Sequence, residues 1–149
     1  MFSKSCEYVL QAMIYISMHS NSKNKVTLKQ IAKSQQIPQP FLSKILQQLV
    51  KHKLIGSMKG RNGGFYLLKS PQKITLLEIV KIINGTDLLD GCVLGLSKCS
   101  AQNPCPVYYE FKKVKDQIKQ ILKSKSLNTL SEDILTRSGG AYYNSISKS

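Results

Sequence analysis

The sequence predicts a mainly α protein: a winged helix-turn-helix with a two-stranded β wing, followed by a long C-terminal helix. Three observations predict it. Two apolar patterns of helical period, joined by a proline-bounded turn, fill residues 27 to 53. Two short β-prone runs flank a glycine-rich basic tip, Gly60-Arg61-Asn62-Gly63-Gly64. An amphipathic stretch from 107 to 123 then keeps helical spacing throughout. With 149 residues and 42% hydrophobic content, the chain has enough material for a core.

The first element is a helix over 5–19, where Tyr8, Ala12, Ile16 and Val9, Met13 fall on adjoining faces. The apolar run Tyr8 to Met18 has the length of a signal-peptide core. It contains Gln11, is followed by no small-x-small cleavage site and is too short to span a bilayer, so it reads as a buried helix with no role in a membrane.

The second helix opens with a capping box, Thr27-Leu28-Lys29-Gln30, and stops before Ile37-Pro38-Gln39-Pro40, because proline disfavours helical geometry in the residue before it. Pro40 suits the first turn of the third helix, expected over 39–53. Leu42, Ile45, Leu46 and Leu49 form its apolar face, and Ser43, Lys44, Gln47 and Lys51 fall on the other side. Strands are expected over 55–59 and 65–68.

A second capping box, Thr75 to Glu78, starts a helix through Ile83 that Asn84-Gly85 ends. Residues 86–103 show no sustained period. The long helix over 107–123 carries Val107, Phe111, Val114, Ile118, Ile121 and Leu122 as its stripe, and a third box, Thr129 to Glu132, is expected to cap a short final helix. The organisation that follows is a winged-helix module at 1–84, a cysteine-containing loop at 85–106, the long and final helices at 107–137, and a disordered tail at 138–149.

Charge separates these parts. The net charge is +14, with 20 of 22 cations lysine. From residue 8 to residue 77 there are 11 bases and no acid, where ordinary usage would place about eight or nine acids. Residues 78–149 carry 10 bases and 7 acids. A lysine-rich composition alone does not explain missing acids. A polyanionic partner does, and the acid-free stretch covers the winged helix and then stops.

A recognition helix reads base edges with polar side chains near its N-terminus. Gln39, Ser43 and Lys44 are placed for this, with Gln47 one turn further on the same side. Lys59 and Arg61 sit at the tip of the wing, and the helix start at Thr27 and Lys29 suits a phosphate. Double-stranded DNA is the expected partner, against the alternative of a winged helix used for protein contacts. No nucleophile is paired with a base, so catalysis is not expected.

Cys92, Cys99 and Cys105 lie in one glycine-containing loop, in a chain with no export signal, which implies a reducing, cytoplasmic setting. Their spacing lacks the C-x2-C knuckle of structural zinc, and His19 and His52 are remote. An iron–sulfur cluster, a zinc ion, thiol-based redox sensing or an incidental grouping all remain open from the spacing.

The helix-turn-helix, the wing from Lys59 to Leu68, the helix 75–83 and the three-cysteine loop together resemble the Rrf-two (BadM) family of bacterial winged-helix transcription regulators. The resemblance covers residues 2 to 136. It implies a homodimer joined through the long helix, and a [2Fe-2S] or [4Fe-4S] iron–sulfur cluster on Cys92, Cys99 and Cys105. It also implies a cytoplasmic repressor that places two recognition helices about 34 Å apart on a pseudo-palindromic operator and is switched by the state of its cluster. The first cysteine gap is one residue longer than usual. Tyr108 stands where the family's cluster-assembly regulators have a ligating histidine, and Ser43 where they have a glutamate. The family's nitric oxide sensors take a fourth ligand from an acid in the partner's first helix, a position that matches Glu7, with its neighbour Cys6 as the competing candidate. Rival expectations are a cluster-free thiol or zinc regulator of the same fold, and a cluster carrier with no DNA role.

Overall fold

The computed structural model describes residues 1–137; the expected disordered tail, 138–149, lies outside the described residues. Helices α1 (Lys4–His19), α2 (Leu28–Gln35) and α3 (Gln39–Lys51) come first, followed by strands β1 (Ile55–Met58) and β2 (Gly64–Leu67). After a 3-10 turn (Pro71–Lys73) come α4 (Leu76–Asn84), a single-turn α5 (Asp87–Asp90), α6 (Tyr108–Ser124) and α7 (Leu127–Arg137). The mainly α winged helix-turn-helix expected from the sequence is the observed fold.

Helix α1 starts at Ser3, whose hydroxyl accepts from the Cys6 amide, and buries Val9, Ala12, Met13 and Ile16. They meet Ile31 of α2, the Leu42, Leu46 and Leu49 stripe of α3, Leu54, Ile55, Ile74, Ile79 and Leu127 in one core. The expected capping box of α2 forms in both directions, with the Gln30 amide on Thr27 Oγ1 at 3.1 Å and the Thr27 amide on Gln30 Oε1 at 2.8 Å. Helix α3 ends two residues earlier than the sequence suggests. Lys53 takes a left-handed conformation, its amide bonding the Val50 carbonyl and that of Leu54 the Leu49 carbonyl. This closure aims the buried Leu54 inward and launches the wing.

The wing pairs β1 with β2 antiparallel, Gly56 opposite Tyr66 and Met58 opposite Gly64. Reciprocal backbone bonds between Val26 and Phe65, 3.0 and 2.7 Å, tie its base to the segment before α2. Gly64 makes this approach possible. Its φ is +143°, and a Cβ there would lie 2.5 Å from the Val26 carbonyl oxygen.

Two capping expectations are corrected. Thr75 accepts from the Glu78 amide at 3.2 Å, but the Glu78 carboxylate turns to Lys69 at 2.7 Å instead of closing the box. The final helix begins before Thr129: Ser126 Oγ accepts from the Thr129 amide at 3.2 Å, and the Leu127 amide is fixed on the Ile74 carbonyl at 2.9 Å. Tertiary anchoring of the fully buried Leu127 sets that start. Helix α7 packs on α1 and the 3-10 turn. Helix α5 is a turn that the aperiodic stretch gave no reason to expect. Its Leu89 joins Cys6, Val80 and Leu122 in a second, smaller core.

Replacing Gly64 with alanine forces the wing away from Val26 and should destabilise the protein by roughly 1–3 kcal/mol, read as a lower urea midpoint. An unchanged midpoint would show that the wing base does not depend on this contact.

Candidate metal centre and nucleic-acid interface

The cysteine loop leaves α5 at Gly91 and re-enters helix at α6. Its hydrogen bonds are short-range: the Gly95 amide to the Cys92 carbonyl, the Cys99 amide to Leu96, and reciprocal bonds between Ser100 and Asn103. These turns bring the three sulfurs within 4.8 Å of one another, with Cys92 Sγ and Cys105 Sγ 3.8 Å apart. All three cysteines are half-buried and line a cleft of about 230 Å³ between the loop and α6. The wall also carries Tyr108, Lys112, Lys115 and Lys119. A soft, three-thiolate donor set open on one side fits a thiophilic metal centre or an iron–sulfur cluster by its chemistry.

The thiols differ. Hydrogen bonds from backbone amides, first Leu96 and then Leu94, hold the Cys92 thiol down at about 7 against its partial desolvation, and the neighbouring cysteines add to this. For Cys99 the Cys105 amide favours the thiolate, but desolvation and the two other sulfurs outweigh it and raise the thiol. Cys6 belongs elsewhere. It is fully buried in the second core, and burial, reinforced by the Glu7 carboxylate, pushes its thiol up to about 11.

Glu7 lies in the first turn of α1 with its side chain 44% exposed, paired to Lys4 at 3.3 Å. Among the described residues the three sulfurs form the only close group of potential ligands, so Glu7 stays apart from them within its own chain. Tyr108 stands on the cleft wall, its ring edge-on to Tyr109 at 5.2 Å.

On the winged helix, Gln39, Lys44 and Gln47 of α3 are exposed and Ser43 is half-buried. Thr27 and Lys29 at the start of α2, and Lys59 and Arg61 at the wing tip, are exposed as well. Among the described residues, the cations of the acid-free stretch form no ion pair with a carboxylate apart from Lys69 on Glu78.

The profile of the Rrf2 family, described as iron-dependent transcriptional regulators, matches residues 2–133. The chain belongs to the Rrf2 family. It is similar to an HTH-type transcriptional regulator of Aquifex aeolicus, 36% identical over 131 residues, 87% of this chain and 90% of that one. It is also similar to the regulator NsrR of Oceanobacillus iheyensis, 28% identical over 128 residues, 85% of this chain and 86% of that one. Among solved structures, T. potens IscR superposes with a TM-score of 0.72 at 26% identity, covering 89% of this chain and 87% of that one. The chain is thus a transcription regulator of this family and not an enzyme.

The sequence missed one set of residues in this Rrf2 regulator: Asp90 on α5, and Lys115 and Lys119 on α6, which meet across the cleft. No sequence pattern signals them, because Lys119 meets Asp90 from 29 positions away and Lys115 meets a backbone carbonyl rather than a side chain.

In the reduced, metal-free protein, iodoacetamide at pH 7 should label Cys92 before Cys99, because only a thiolate attacks. The Cys92 rate should climb between pH 6 and 8 as the proton leaves near 7. Cys6 should stay unlabelled until the chain unfolds. Equal labelling of Cys92 and Cys99 by peptide mass spectrometry would refute this ordering.

Proposed function

We propose that this regulator is a cytoplasmic homodimeric repressor whose grip on operator DNA depends on an iron–sulfur cluster held by Cys92, Cys99 and Cys105. The observation that carries this is the convergence of three sulfurs within 4.8 Å at a cleft walled by α6. When bound, the cluster supplies a centre that reacts with oxidants or nitric oxide. The names of similar proteins, IscR and NsrR, and the family's description as iron-dependent support the reading.

The chain's own residues divide the work. Gln39, Ser43, Lys44 and Gln47 face base edges in the major groove. Thr27 and Lys29 meet phosphate at the start of α2, and Lys59 and Arg61 extend the contact from the wing. On α6, Phe111, Val114 and Ile121 are 41%, 49% and 60% exposed at helical spacing, and a second copy of α6 would cover them. Glu7, half-exposed and acidic, is the fourth ligand offered to the partner's cluster. The burial of Cys6 favours Glu7 over it.

One distance favours a second occupant. A tetrahedral zinc ion with Zn–S bonds of about 2.3 Å holds its sulfurs about 3.8 Å apart, which is the separation of Cys92 and Cys105. A [4Fe-4S] cluster gives each iron one thiolate and spreads the sulfurs further apart, whereas a [2Fe-2S] cluster can place two thiolates on one iron at a similar separation, so the distance weighs against the four-iron form alone. Zinc in this site gives a colourless, cluster-free regulator of the same fold.

Anaerobic purification decides between them: a chromophore lost in Cys99→Ala and weakened in Glu7→Ala is expected, and a colourless protein carrying one zinc per chain would overturn the cluster. With a duplex selected from a random pool, Lys44→Ala and Arg61→Ala should each weaken binding and lower the salt slope by about 1. Val114→Asp should yield monomers in sedimentation. Binding that is insensitive to salt between 50 and 200 mM, where ~6 to 10 phosphate contacts would cost ~10³ to 10⁵ in affinity, would leave the protein without a DNA role.

A further inference from the structure

Cys92 is the first thiol of the loop, and its backbone is tied from outside. Gly91 precedes it, and the Gly91 carbonyl and Cys92 amide are two ends of one planar peptide. On one side the Gly91 amide donates to the Asp87 carbonyl at 2.8 Å. A Cβ at Gly91 would lie 2.6 Å from that same oxygen, so the chain passes α5 in close contact. On the other side Lys115 Nζ, 24 residues away, donates to the Gly91 carbonyl. One turn further along α6, Lys119 Nζ meets Asp90 Oδ1 at 2.5 Å. Among the described residues, the loop's remaining hydrogen bonds run within the loop or to its junction with α6.

The geometry points to Lys115 as a positioning residue for the cysteine centre. Through the Gly91 carbonyl it fixes the peptide from which Cys92 enters the cleft, while Lys119, paired with Asp90, ties α5 to α6 beside it. The inference rests on the proposed metal-binding reading of that site. Its physical basis is general: groups that hold a ligand's backbone or side chain in place are typically worth ~10- to 100-fold in metal affinity. Methionine at 115 would keep the aliphatic stem of lysine while removing donor and charge. Arginine would keep both. Lys113, exposed on the same helix, supplies a control.

The test uses the full chain. In the metal-free protein, Lys115→Met should raise hydrogen exchange at amides 92–100. Zinc alone, titrated against a chromophoric chelator, should bind it ~10-fold or more weakly than wild type. Lys115→Arg should restore most of both, Lys113→Met should match wild type, and Asp90→Asn should shift both readouts the same way by less. Exchange and zinc affinity equal to wild type in Lys115→Met, or an arginine variant as impaired as the methionine one, overturns the assignment. If wild type takes up neither zinc nor a cluster, the metal reading fails, and the exchange comparison still decides whether Lys115 holds the loop.

Discussion

The burial of one face of α1 is the constraint on which the rest of the molecule depends. Val9, Ala12, Met13 and Ile16 have no exposed surface and sit against α2, α3, α4, α7 and β2. Burying Val9, Met13 and Ile16 contributes about 1.5–3 kcal/mol each, and the small Ala12 lets neighbouring elements approach closely. The recognition helix can present Lys44 and Gln47 outward only because Leu42, Leu46 and Leu49 are held inward against this face. The wing inherits its position from the same packing, through Leu54 and Ile55 at its start and the Val26–Phe65 bridge at its base.

Helix α1 also joins the two halves of the protein. Its first turn sends Cys6 into the smaller core with Val80, Leu89 and Leu122, so residues from α1, α4, α5 and α6 meet there. Leu10 and Ile83 pack against both cores. Side chains in contact therefore link α5 and α6 at the cysteine cleft to α1 and α4, and α1 lies directly on α3. Close-packed interiors pass on strain because they leave little empty space to absorb it.

How much of this could be read from the sequence follows from how local each cause is. The helices with strong period, the α2 capping box and the wing follow from neighbours in sequence, and they were legible. The Thr75–Glu78 box was half wrong because Lys69, nine residues before Glu78, competes for its carboxylate. The final helix starts at Leu127 because Ile74, 53 positions earlier, accepts its amide. Helix α5 needs Leu89 buried against α6 to exist at all, and a four-residue helix leaves no period to detect. The three cysteines were visible as a group, but their differing acidities come from loop amides and mutual contacts that spacing does not encode.

The lysines do two kinds of physical work. From residue 78 onward four of the seven acids have a lysine partner: Asp90 with Lys119, Asp116 with Lys112, Asp133 with Lys125, and Glu78, which reaches back to Lys69. Exposed pairs of this sort add about 0–1 kcal/mol each, so their main effect is to cancel field and to connect elements. Between residues 8 and 77 there is no acid to do the same, and the cations of α2, α3 and the wing face water. Their summed potential is concentrated on the winged helix and is screened over about 8 Å at physiological salt. A polyanion is therefore drawn to the face that carries the recognition helix. The near-neutral half keeps its charges for internal geometry, with the cysteine cleft at its centre.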